Sequence, residues 1–146
     1  MQNANEQPNS SENKPVEKWL YVFAESSGHL TSTYGASSSW SLMYNLYPDK
    51  LLGFNLVNET IYNNQTSWYS NVTSSAQAFG LPFDSNEATT AKSHWTLFSA
   101  GTVTNPKTRD SLVSMIHAAA LNQNSFVVFP TTYNTSNGSH LGGPAR

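Results

Sequence analysis

The chain has 146 residues, a formal net charge of −2 and only 11% charged residues, against about 25% in an average globular chain. That length fits one domain. No basic run is longer than one residue, which excludes the counterion-displacing stripe that nucleic-acid binding needs. Without cysteine there is no disulfide or thiol chemistry. The four histidines, His29, His94, His117 and His140, are widely separated with no HxH or HxxxH spacing, so no metal site is expected, and no motif calls for a cofactor. Apolar runs such as "FVVF" at 126–129 are far shorter than the roughly 20 residues that cross a bilayer, so no membrane partner is expected.

Residues 1–13 are polar and unpatterned; they read as a disordered lead-in without the apolar segment of a secretory signal. Pro15 suits the first turn of a helix through "VEKWLYVFAE", with Val16, Trp19, Leu20 and Phe23 at i, i+3, i+4, i+7, closed near Gly28. After a Gly/Ser loop, Ser38 or Ser39 is expected to cap a second helix carrying Trp40, Met43, Tyr44 and Tyr47. Pro48 stops that helix near Leu46 and opens a short new one, because it has no N–H to give and clashes with the preceding turn. In the new helix Asp49 and Lys50 are expected toward solvent, Leu51 and Leu52 inward, and Gly53 at the end.

A third helix is expected from Asn58 or Glu59 to Phe79, with Ile61, Gln65, Trp68, Val72, Ala76 and Phe79 on one stripe. The fourth, "KSHWTLFSAGTV", is apolar around much of its circumference (Trp95, Leu97, Phe98, Ala100, Val103), as an inner helix would be. Asn105 and Pro106 start a fifth, with Leu112, Met115, Ile116 and Ala119 inward and Arg109 and Asp110 outward. The tail reads as one extended piece followed by turn residues. The expected fold is all-α, a series of helical hairpins. Leu, Ile, Val and Phe total 29 residues, a thin core supply that 12% aromatic residues partly offset.

The stretches "YGASSSWSLMYNLYPDKLLGFNLV", "WYS…FGLPFDS…KSHWTLFSA" and "FPTTYNTSNG" resemble, in order, the C-terminal part of the fungal secreted glutaminase A family. The resemblance runs from about Val16 to Arg146. It implies that residues 14–146 are the C-terminal third of a six-hairpin, glycosidase-like (α/α) toroid, whose remainder would be the partner of this chain. The ending "GGPAR" falls where the family continues into its last inner helix, so a fragment of a secreted, extracellular parent is expected. Many members carry an Asp where this chain has His94, and an acid-rich motif where it has Thr131 and Asn134. An Arg-His pair common after the loop aspartate is absent from "FDSNEATTAKSHW".

In such a barrel the loops at one end of the inner helices line the cleft. Asp84 and His94 are the acid/base candidates near those loops. Trp40 and Trp95 are candidate stacking walls, with core packing as the bland alternative, and Tyr34 and Tyr133 are further candidate contacts. Six N-x-S/T sequons, at Asn9, Asn58, Asn64, Asn71, Asn134 and Asn137, slightly exceed the number expected by chance and favour a glycosylated, secreted surface. The resemblance implies an amidohydrolase taking glutamine and water to glutamate and ammonia, inactive as this piece alone. The alternatives are a carbohydrate-active or carbohydrate-binding barrel, with a sugar as the small-molecule substrate, or a non-catalytic remnant.

Overall fold

A computed structural model of the chain describes residues 25–26, 28–122 and 128–144. The expected disordered segment 1–13 and nearly all of the expected first helix lie outside these residues. At the end of that expected helix, Glu25–Ser26 (β1) pairs antiparallel with His29–Leu30 (β2). The turn between them is made at Gly28, whose φ of 79° suits a residue without a Cβ.

The expected second helix is displaced. Ser39 does not cap it: its hydroxyl donates to the Ala36 carbonyl at 2.7 Å and accepts from the Thr33 N–H at 3.0 Å, closing the loop on itself. Residues 40–42 then run extended beside 83–85, with Ser41 bridged to Asp84, Leu42 N–H on the Phe83 carbonyl and Ser85 N–H on the Trp40 carbonyl. Only a 3-10 turn, Tyr44–Leu46, precedes the short helix Tyr47–Leu52 (α1). Pro48 does open α1 and Gly53 ends it in the left-handed region at φ 65°.

Inside α1 the expected orientation is reversed. Asp49 is its buried residue, with Leu46 buried just before it in the 3-10 turn, while Leu51 and Leu52 are 63% and 60% exposed. Asp49 is not a solvated helix start. Its carboxylate accepts from Leu56 N–H (2.9 Å), Val57 N–H (3.3 Å) and the Tyr62 hydroxyl (2.8 Å). Lys50 reaches the other way and donates to the carbonyls of Thr102 (2.7 Å) and Val103 (3.2 Å).

Helix α2, Glu59–Thr73, is capped by Asn58, whose side chain accepts from Thr60 N–H. It ends six residues before Phe79, because the hydroxyls of Thr73, Ser74 and Ser75 bond back to the carbonyls of Ser70, Asn71 and Val72. A strand, Thr90–Lys92 (β3), leads into α3, Ser93–Thr102, which forms a helical hairpin with α4, Pro106–Leu121. Asn105 caps α4 as expected, and Leu112, Ile116 and Ala119 are buried in it. The tail is a β-hairpin: Pro130–Asn134 (β4) lies between β3 and His140–Pro144 (β5) in an antiparallel sheet, with Ala91 opposite Tyr133 and Thr132 opposite Gly142.

The fold is therefore mixed rather than all-α: among the described residues, four α-helices and a small antiparallel sheet. The all-helical expectation failed at "FPTTYN", whose backbone pairs on both sides and whose register shift between Thr132 and Tyr133 lets Pro130 and Tyr133, three residues apart, both be buried. Three apolar clusters form the core. Leu42, Tyr69, Leu81 and Leu112 lie between α2 and the α3–α4 hairpin. Leu30, Met43, Leu46 and Ile61 lie under α1 and α2, and Ala91, Ile116, Ala119 and Tyr133 between α4 and the sheet.

Asp49→Ala would strip the acceptor from two backbone N–H groups and a buried phenol. We expect it to destabilise the chain by about 2–3 kcal/mol in urea unfolding, with Asp49→Asn near half of that because one acceptor oxygen survives. A loss below about 0.5 kcal/mol for the alanine variant would show that the three bonds are replaced by water without consequence.

Candidate active-site cleft

The pairing of 40–42 with 83–85 carries the site. It holds Asp84 beside the 3-10 turn and sets both against the first turn of α3, opening a cleft of about 310 Å³ lined by Thr31, Ser32, Tyr44, Asn45, Asp84 and Trp95, among others. Asp84 is half-buried. One of its carboxylate oxygens accepts from Asn86 N–H at 2.8 Å, which fixes the side chain in the turn after the pairing. Its other oxygen has no partner among the described residues. The Ser32 hydroxyl is also buried without a hydrogen-bond partner.

Trp95 forms the wall. Its ring lies 4.1 Å from that of Tyr44 at 33°, and Phe83 meets it edge-on at 5.1 Å. The Lys92 ammonium sits 3.8 Å from the Phe83 ring centre and 4.4 Å from that of Trp95, a position the negative ring faces favour. These contacts fix the Trp95 ring by packing and charge, so the wall is pre-formed.

The remaining sequence candidates are not brought to this cleft. His94 follows β3 at the start of α3 but is exposed and does not line it. Desolvation and then the positive charge of Lys92 hold its imidazole below the ordinary value, so it is neutral at pH 7. Tyr34 stands 70% exposed in the loop after β2. Trp40 is half-buried and gives the pairing its backbone, while its side chain lies outside the lining. Tyr133 is fully buried in the cluster between α4 and the sheet, and burial pushes its phenol well above the ordinary range. Tyr44, Asn45 and Ser32 are the cleft residues that sequence reasoning missed. Tyr44 matched a helical stripe, and no local signal marks the pairing of 40–42 with 83–85 that leaves it in a 3-10 turn instead.

A second cleft, of about 280 Å³, is lined by Asp49, Lys50, Asn55, Glu59, Tyr62 and Thr104, among others. Two of its ionised groups are committed within the chain, Asp49 to three donors and Lys50 to two carbonyls, and the third, Glu59, is exposed at the start of α2. Desolvation lowers the Lys50 pKa, with Glu59 opposing the shift, and burial followed by the Asp49 bond raises the Tyr62 phenol. This is joinery rather than a reaction site. Among the described residues no group of three His, Cys, Asp or Glu side chains could hold a metal ion, and no helix is long and apolar enough to cross a membrane.

Replacing Lys92 by Gln would remove the repulsive charge but leave the desolvation of His94. The His94 titration, followed by NMR of its ring C–H, should move upward and still stop short of about 6.5. A downward move would mean that Lys92 does not act on His94 through its charge.

With the fold and cleft described, comparison with known proteins places the chain. Residues 2–146 match the family model of the glutaminase A six helical-hairpin domain. Glutaminase A of Aspergillus oryzae is 34% identical over 119 residues, covering 79% of this chain and 16% of that protein. A probable glutaminase of Arthroderma benhamiae is 28% identical over 126 residues, covering 67% of this chain and 14% of that protein. No solved structure matches the chain. The chain thus spans about a sixth of the length of the curated relatives it matches, and with the family model aligned over nearly its whole length it belongs to the glutaminase A six helical-hairpin domain family.

Proposed function

We propose that these residues are one part of a glutaminase-type amidohydrolase that takes glutamine and water to glutamate and ammonia, and that they supply a binding wall rather than the hydrolytic groups. The observation that carries this reading is the make-up of the cleft: a pre-formed aromatic wall with one carboxylate, Asp84, and no second acid or base in the lining among the described residues. Amide hydrolysis needs an activated nucleophile, a proton donor for the leaving nitrogen and donors for the developing oxyanion. Asp84 alone cannot fill those roles, and His94 does not line the cleft. The same count argues against a glycosidase, which needs two facing carboxylates.

The partner in this reading is the remainder of the domain. Leu51, Leu52, Phe54 and Leu56 are 47–63% exposed in and after α1, and Leu97 and Phe98 are 46% and 40% exposed on α3. Helix α3 instead buries Ser93, Thr96, Ser99 and Thr102. Such a reversal suits an inner helix whose apolar side packs against further hairpins. The purified 146-residue chain should therefore release no ammonia from glutamine above a protein-free control. Ammonia release that scales with the amount of chain would place the hydrolytic groups within these residues and sink the reading.

Secretion of the parent fits the sequons. Asn71 and Asn137 are exposed, whereas Asn58, Asn64 and Asn134 are half-buried, and Asn134 also accepts from Ser136 N–H, the Ser136 hydroxyl and Asn137 N–H. Routed through a eukaryotic secretory pathway, the chain should carry glycan chiefly on Asn71 and Asn137, as read by peptide mass mapping after enzymatic deglycosylation. Glycan confined to Asn134, or none at all, would contradict this.

A further inference from the structure

We propose that Asp84 is the receptor for a primary ammonium group in the cleft, seated against the Tyr44–Trp95 wall. Within the glutaminase reading that group is the α-ammonium of the amino-acid substrate. The charge balance of the cleft carries the inference. Among the described residues, Asp84 is the one carboxylate in the lining, and no lysine, arginine or histidine lines the cleft with it. One of its oxygens is spent on Asn86 N–H; the other is uncommitted among the described residues. A half-buried carboxylate with one oxygen open to the cleft favours a ligand that brings a positive charge over a neutral or negative one.

The surroundings suit an ammonium group in particular. An R–NH₃⁺ head has three donors and no acceptor. The Asp84 oxygen takes one, and the partnerless Ser32 hydroxyl and the Asn45 side-chain carbonyl, both in the lining, offer acceptors for the others. The Tyr44 and Trp95 rings add a negative quadrupole beside them. The rings already hold one ammonium, that of Lys92, on the Phe83 side of Trp95. Asp49 offers the contrast: both of its oxygens already accept hydrogen bonds within the chain, from Leu56 N–H, Val57 N–H and the Tyr62 hydroxyl.

The test is an NMR titration of the full chain, following the four tryptophan indole N–H signals with Trp95 assigned by Trp95→Phe. The probes are n-butylammonium, L-glutamine, N-acetyl-L-glutamine, whose nitrogen carries no charge, and glucose. Butylammonium and glutamine should shift the Trp95 signal saturably, and N-acetylglutamine and glucose should not. Asp84→Asn keeps the acceptor for Asn86 N–H, so the turn survives, and should weaken both responses by roughly fivefold or more. If butylammonium binds and glutamine does not, the ammonium site stands and the glutaminase reading falls. Equal binding of glutamine and its acetyl derivative, a response to glucose alone, no saturable shift with any probe, or an unaltered affinity in Asp84→Asn would each overturn the proposal.

Discussion

The arrangement of these helices depends on one short segment, Pro48–Asp49–Lys50, whose two charges face opposite neighbours. Asp49 gathers the chain that follows α1 by taking the N–H groups of Leu56 and Val57, and it fixes the first turn of α2 through the Tyr62 hydroxyl. Lys50 holds the carbonyls at the end of α3, where the helix leaves orphan acceptors. One dipeptide therefore ties α1, α2 and α3 together at a point where apolar packing is sparse, since Leu51, Leu52 and Phe54 all face outward. The acid and base do not neutralise each other; each satisfies backbone groups that would otherwise be buried or partly buried without partners.

The same economy runs through the rest of the chain. Hydroxyls stand where a typical core would have methyl groups: Thr66 bonds the Tyr62 carbonyl and accepts from Thr104 N–H, Thr96 bonds the Lys92 carbonyl and Thr102 the Ser99 carbonyl. A Ser or Thr that returns its hydroxyl to the preceding turn can be buried at little polar cost. That explains how a chain with only 11% charged residues and a modest aliphatic share still buries much of its α3. The consequence is that Leu97 and Phe98 of α3 are left on the outside.

What the sequence disclosed follows from which signals are local. Caps and breakers are local, so Asn58, Pro48, Gly53 and Asn105 marked helix ends that the structure keeps. Facing depends on what lies across the gap, and there the sequence misled. Leu51 and Leu52 read as inward because they are leucine, yet the inward position of α1 went to Asp49 because Leu56, Val57 and Tyr62 present donors there. The β4–β5 hairpin was missed for the same reason: "FPTTYN" gains its strand character from partners on both sides, β5 just after it and β3 some 40 residues earlier in the chain. At the cleft, Asp84 was singled out from its loop and Trp95 from the head of an expected helix, and both line it. Tyr44, Asn45 and Ser32 were not singled out, because they arrive through the pairing of 40–42 with 83–85.

Asp49 and Asp84 show how little a residue type decides by itself. Both follow an apolar or proline residue, both are shielded from solvent to some degree, and both accept backbone N–H groups nearby. They differ in what is left over. Three donors close around Asp49, so its charge is spent on holding the chain in place, and any ligand would have to break a bond to reach it. One donor holds Asp84, which leaves an oxygen open to a cavity lined, among the described residues, by the Ser32 hydroxyl and an aromatic wall and by no cation. The difference between the two acids therefore lies in their neighbours: donors from the chain surround one, and one donor leaves the other with acceptor capacity open to the cleft.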